Sequence, residues 1–161
     1  MLSRSNVGAI PGRVPLLLAA SASALIALLH ILIPFLGPEA YRFFGAPALA
    51  TAVERGSVVR PAAMTFAFAI IFAIWALLAA SAAGFVRRLP LLRTGLVAIA
   101  VVYLLRGLLF LTPQLLLLLA GKHQAPQAVA FSAAALLIGL CYLTGVVRAW
   151  AGLTPHRSHA A

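Results

Sequence analysis

The stretch Thr94–Ala120, TGLVAIAVVYLLRGLLFLTPQLLLLLA, decides how this chain is read. Apart from Arg106 it carries no charge. A helix of this length rises ~40 Å, more than a hydrocarbon layer of about 30 Å requires. Lipid offers no partner to a backbone amide, so a run of this kind has to be a helix that satisfies its own hydrogen bonds.

Working outward from that stretch, three more apolar runs appear, at about 14–36, 62–84 and 127–150, beside the one at 94–120. Each is long enough to cross a bilayer. The whole composition agrees. Of 161 residues, 64% are hydrophobic and 9% charged, whereas a soluble domain carries about 25% charged residues. There is too little polar material to cover a water-soluble core. The fold expected is all-α: one integral membrane domain over residues 1–161, an antiparallel four-helix transmembrane bundle.

The net charge is +10, with Glu39 and Glu54 the only acids. The basic residues gather at the ends of the apolar runs, where they meet anionic lipid headgroups and set orientation. No basic stripe is interleaved with stacking aromatics, so nucleic acid is not an expected partner. Arg4, Arg13, Arg87, Arg88, Arg93, Arg148 and Arg157 fall on one side of the four runs, and Arg42, Arg55, Arg60 and Lys122 on the other. The richer side belongs in the cytoplasm. The expected location is a bacterial inner (plasma) membrane, multi-pass, with both termini cytoplasmic. The run at 14–36 is longer than an ordinary signal-peptide core and reads as an uncleaved signal anchor.

The connections differ. Those at 85–93 and 121–126 are short, as between antiparallel neighbours. The outer loop at 37–61 is long and opens with Gly37-Pro38-Glu39-Ala40-Tyr41-Arg42-Phe43-Phe44-Gly45-Ala46-Pro47. Its middle, Ala48 to Arg55, predicts a short helix ended by Gly56. Tyr41, Phe43 and Phe44 beside charges fit an interfacial aromatic belt, and the loop would serve as a binding element or as a lid on the headgroups. Small residues every four positions (Ala20 and Ala24; Ala76, Ala80 and Gly84; Ala135 and Gly139) predict close helix approach in lipid. Arg13-Val14-Pro15-Leu16-Leu17 is echoed by Arg88-Leu89-Pro90-Leu91-Leu92, the mark a duplicated hairpin would leave.

Candidate functional residues are few. Arg106 lies about 12 residues, or ~18 Å, from the start of its run. A charge at that depth costs at least ~2.5–3.5 kcal/mol and marks a candidate site. Tyr103, Arg106, Phe110 and Gln114 follow helical spacing and are expected to face the bundle interior. No transmembrane run holds an acid, so the partner of Arg106 is Glu39 or Glu54 folded inward, a backbone carbonyl, another protein, or an anionic ligand. A guanidinium favours carboxylate or phosphate. His30, followed by Pro34, Gly37, Pro38 and Glu39, is a second candidate, as a ligand, a proton carrier or a hydrogen-bonded helix residue.

Other chemistries lack their residues. The lone Cys141 cannot form an internal disulfide and reads as a small buried hydrophobe. His30 and His123 without a carboxylate or thiolate make a poor metal site, and a haem would need two buried histidines. No metal or other cofactor is expected. H-E-x-x-H, G-x-S-x-G and phosphate-loop motifs are missing from the sequence.

The His30–Pro34 helix end, the segment Gly37 to Ala46, and Arg87-Arg88-Leu89-Pro90-Leu91-Leu92-Arg93 resemble small four-helix bacterial membrane proteins without an assigned function. The resemblance covers most of the chain and implies the four-helix fold but no activity. A fainter similarity links the chain to the four-helix sterol-isomerase-like (EXPERA) group, which also places a histidine near the end of its first helix. That group relies on acids within its helices, which this chain lacks. The expected function is non-enzymatic: binding, or assisting transport of, an anionic or lipidic ligand, with Arg106 as anchor, Tyr103, Gln114 and His30 shaping the cavity, and Glu39 gating from outside. The alternatives are a lipid-modifying enzyme using His30 and Glu39 as acid and base, and a structural subunit of a membrane complex. A transporter of this size would work as a homodimer.

Overall fold

The computed structural model describes residues 11–153. Arg4, His156, Arg157 and His159 lie outside the described residues. Six α-helices follow one another: α1 (Arg13–Leu36), α2 (Pro38–Phe43), α3 (Pro47–Glu54), α4 (Val59–Ala82), α5 (Leu92–Leu119) and α6 (Pro126–Ala149). A 3-10 turn, Trp150–Leu153, closes the described chain. The long helices α1, α4, α5 and α6 are each long and apolar enough to cross a membrane, and among the described residues there is no strand. Large apolar side chains stand exposed all round them, Leu18, Ile70, Leu109, Leu137 and Val147 among them. A surface of that kind suits hydrocarbon and not water.

Local signals set the helix limits. α2, α3 and α6 each begin with proline, whose fixed φ suits the first turn and whose missing N–H is not needed there. The loop helix expected near Ala48 to Arg55 is α3. It ends where Gly56, at φ 87°, lets the Ser57 amide reach the Ala52 carbonyl (3.0 Å) and the Gly56 amide reach Val53 (2.9 Å). This pair of bonds satisfies carbonyls that a helix end would otherwise leave open. The same closure ends α4 at Gly84. α2 forms as well, with Glu39 in its first turn and Arg42 in its last, each charge opposing the helix dipole.

α1 packs most extensively along α4, and α5 along α6. α1 and α6 join the two pairs, while α4 meets α5 over a shorter stretch. At one end Gly12 lies against Gly145, Arg148 and Ala149, and Arg93 Nη2 donates to the Trp150 carbonyl (2.6 Å) with its guanidinium over the Trp150 ring. Ser81 pins the connection between α4 and α5 at this Gly12 end: its hydroxyl donates to the Arg87 carbonyl and accepts from the Leu89 amide, both at 2.9 Å. At the other end α2 and α3 cover Ile33 of α1, and Phe44 stacks on Phe131 of α6 (5.6 Å).

Glycine sets how closely α5 and α6 approach. A Cβ on Gly107 would stand 2.7 Å from backbone atoms of Leu136, and one on Gly139 would stand 2.9 Å from the Leu104 amide. Of the small residues expected at contacts, Ala20 and Ala135 are buried, whereas Ala24 and Gly84 are exposed. Gly107 and Gly145 complete the close contacts. Gly107→Ala is therefore expected to push α5 off α6 and destabilise the protein by about 1–3 kcal/mol. Gly152→Ala, with no atom within 4 Å, should leave stability unchanged. Denaturant unfolding in mixed micelles measures both.

Candidate functional site

One hydrogen-bonded chain runs through the middle of the protein and touches all four long helices. Tyr142 Oη of α6 donates to the Trp75 carbonyl of α4 (3.1 Å). That commits its only proton, so at the 2.9 Å contact with Ser23 of α1 the serine is the donor. Ser23 Oγ is then free to accept from Tyr103 Oη of α5 (3.3 Å). The proton order is thus fixed: Tyr103 to Ser23 to Tyr142 to the Trp75 carbonyl. The two tyrosine rings stack at 5.7 Å, and Trp75 meets Tyr103 edge-on at 5.3 Å. Ser23 and Tyr142 are fully buried and Tyr103 nearly so. Tyr103, expected at a ligand cavity, is thus a member of the core.

Arg106 does not join this core. It is exposed, with its guanidinium 5.0 Å from the Phe110 ring centre. Its direction follows from helix geometry. Arg106 lies eleven residues beyond Gly95, close to three whole turns at about 3.6 residues per turn, and so shares the face of Gly95. That face meets α4: a Cβ on Gly95 would stand 3.3 Å from the Leu78 side chain. The α4–α5 seam is therefore closed at Leu78–Gly95 and at Trp75–Tyr103. One turn further on, Arg106 and Phe110 are exposed. The expected stripe along α5 thus divides at Tyr103, which is buried while Arg106 and Phe110 are not. Gln114, further along, is half-buried, and its Oε1 has no hydrogen-bond partner.

Neither acid reaches Arg106. Arg42 Nη1 bonds Glu39 Oε1 (2.6 Å), and Arg42 Nη2 bonds Glu54 Oε1. The hydrogen bond that Arg42 donates to Glu54, ahead of the charges of both acids, raises the Arg42 pKa above its ordinary value. The triad ties α2 to α3. Glu39 is spent there, with its side chain 82% exposed, and stands neither beside His30 as an acid/base couple nor beside Arg106.

His30 instead lines a pocket of about 130 Å³ between α1, α4 and the overlying α2 and α3, together with Ile33, Tyr41, Phe44, Ala46, Leu49, Thr65 and Phe68. Its Nδ1 lies 2.8 Å from the Ile26 carbonyl. A second pocket, of about 340 Å³, lies at the Gly12 end, where Arg88 and Arg148 face it. Sequence reasoning passed over Ser23, Tyr142 and Thr65, and it placed Tyr41 in an interfacial aromatic belt, whereas Tyr41 is buried. The available signal was a hydroxyl inside an apolar run: Ser23 shares a helical face with Ala19, Ala20 and Ala27.

Comparison of the chain with family models, with curated proteins and with solved structures finds no match.

Ser23→Ala should leave Tyr103 without its acceptor and Tyr142 without its donor. A loss of about 1–2 kcal/mol is expected, at the upper end of what interhelical hydrogen bonds contribute in lipid. Combined with Tyr142→Phe the loss should be less than additive, since both changes break one network. Reversible unfolding of the two single variants and the double variant provides the measurement.

Proposed function

We propose that this chain is an antiparallel four-helix bundle of a bacterial inner membrane, with both termini cytoplasmic, and that it binds an anionic amphiphile in the α4–α5 seam with Arg106 as the anchor. One observation carries the reading. Arg106 stands midway along a 28-residue apolar helix, exposed, and both acids of the chain are held elsewhere by Arg42. An unpaired guanidinium in hydrocarbon is costly, so its compensation comes from outside the chain. Carboxylate and phosphate meet its planar fork with two hydrogen bonds.

Orientation is supported by the clustering of basic residues. Arg88 and Arg148 line one pocket, and Arg93 reaches Trp150 at the same end. Arg42 lies with Glu39 and Glu54 at the other. The first group suits a negatively charged cytoplasmic leaflet. Binding is favoured over lipid modification because His30 and Glu39 are engaged with separate partners.

Native mass spectrometry of the gently extracted protein tests the proposal, with wild type beside Arg106→Gln and Arg106→Leu. An anionic lipid or other amphiphile carried by wild type is expected to fall at least about tenfold in both variants, a difference of ~1.4 kcal/mol. Retention of the same species by the variants overturns the proposal. So does a wild type that carries no anion.

A further inference from the structure

The pocket under α2 and α3 has its own chemistry. His30 Nδ1 faces a carbonyl oxygen, which can only accept, so Nδ1 carries the proton. In the neutral ring Nε2 is then an acceptor. Thr65 Oγ1 lies 2.7 Å from the Pro61 carbonyl and 3.4 Å from Tyr41 Oη. The shorter contact takes the single threonine proton. Tyr41 is left as the donor in a long, weak contact, with its side chain almost wholly buried. The two residues that carry this acceptor and this underused donor, His30 and Tyr41, thus line one pocket whose other walls, Ile33, Phe44, Ala46, Leu49 and Phe68, are apolar. No charged side chain lines it.

Size narrows the occupant. A pocket of about 130 Å³ is close to the ~150 Å³ of an apolar cavity that accepts one benzene ring. The same volume would hold about four waters at ~30 Å³ each, but every buried water needs two to four polar partners. Only three polar side chains are present, and each already has a partner, Tyr41 only a weak one. A single ring fits this lining better than a water cluster.

We propose that this pocket binds a small uncharged ring bearing one hydroxyl, a phenol, whose O–H donates to His30 Nε2 and whose oxygen accepts from Tyr41. The ring lies among Phe68, Phe44 and Ile33. A site built around a hydroxyl discriminates against analogues that leave its polar groups unpaired. Phenol is therefore held more tightly than anisole, which can only accept, and anisole more tightly than benzene.

The test uses the full chain in lipid nanodiscs with ¹⁵N-labelled histidine. The His30 signal is assigned by its loss in His30→Gln. Phenol, anisole and benzene are titrated in turn. The expected result is a saturable shift of His30 Nε2 with phenol, and affinities in the order phenol, anisole, benzene. Tyr41→Phe should weaken phenol about tenfold, toward anisole, while Ala46→Leu, which fills the pocket, should abolish the shift. An unmoved His30 signal at high phenol overturns the proposal. Equal responses to all three ligands, unchanged by Tyr41→Phe or Ala46→Leu, also overturn it, because they report partition into lipid.

Discussion

Four helices meet at a single chain of hydroxyls, from Tyr103 through Ser23 and Tyr142 to the Trp75 carbonyl. Apolar side chains cannot specify a helix assembly in lipid, since hydrocarbon surrounds them on either side of a contact. Close packing and interhelical hydrogen bonds carry the specificity instead. Here both act together. Gly107 and Gly139 let α5 and α6 approach, and Gly145 admits Leu16 of α1. With the helices at those spacings, the stacked rings of Tyr103 and Tyr142 bring their hydroxyls to one serine. Each proton in the chain has one place to go, so the register of every helix is tied to the other three.

The same arrangement explains where the protein is open. The Leu78–Gly95 contact holds α4 to α5 toward the Gly12 end, and the hydroxyl chain and the Trp75–Tyr103 ring contact hold them in the middle of the protein. α4 packs far more extensively along α1 than along α5. Arg106 stands exposed one turn past Tyr103. A charge that would be costly between packed apolar helices therefore lies at the protein surface. The loop keeps both acids away from it, because Arg42 binds Glu39 and Glu54 together. That triad also ties together α2 and α3, the helices that overlie the separate pocket holding His30 and Tyr41.

Much of this fold was legible in the sequence, for a physical reason. Lipid demands long uninterrupted apolar runs, so the four long helices announce themselves. Pro47 and Gly56 bracket α3 in the same direct way. α2 is harder to read, since six residues give no periodicity, and it depends on Pro38, a glycine-ended closure and a pairing with Glu54 twelve residues from Arg42. The hydroxyl chain was not legible. It joins residues 80 and 119 positions apart, and its existence depends on the relative rotation of four helices. For the candidate site, the depth of Arg106 could be counted along its run. Its direction could not, because that depends on how α5 is rotated against its neighbours. Tyr103 and Arg106 share a sequence stripe yet end in opposite surroundings.

The account rests on Arg106 facing an open seam inside a membrane. A nitroxide label at Arg106→Cys, in a Cys141→Ala background reconstituted in bilayers, measures this directly through its collisions with dissolved oxygen and with a water-soluble nickel chelate. The structure predicts ready collision with oxygen, which concentrates in hydrocarbon, and little with the chelate. A label shielded from both would mean that the seam is closed in the bilayer. A label reached by the chelate would mean that α5 does not cross the membrane at this depth, and either result would contradict the account.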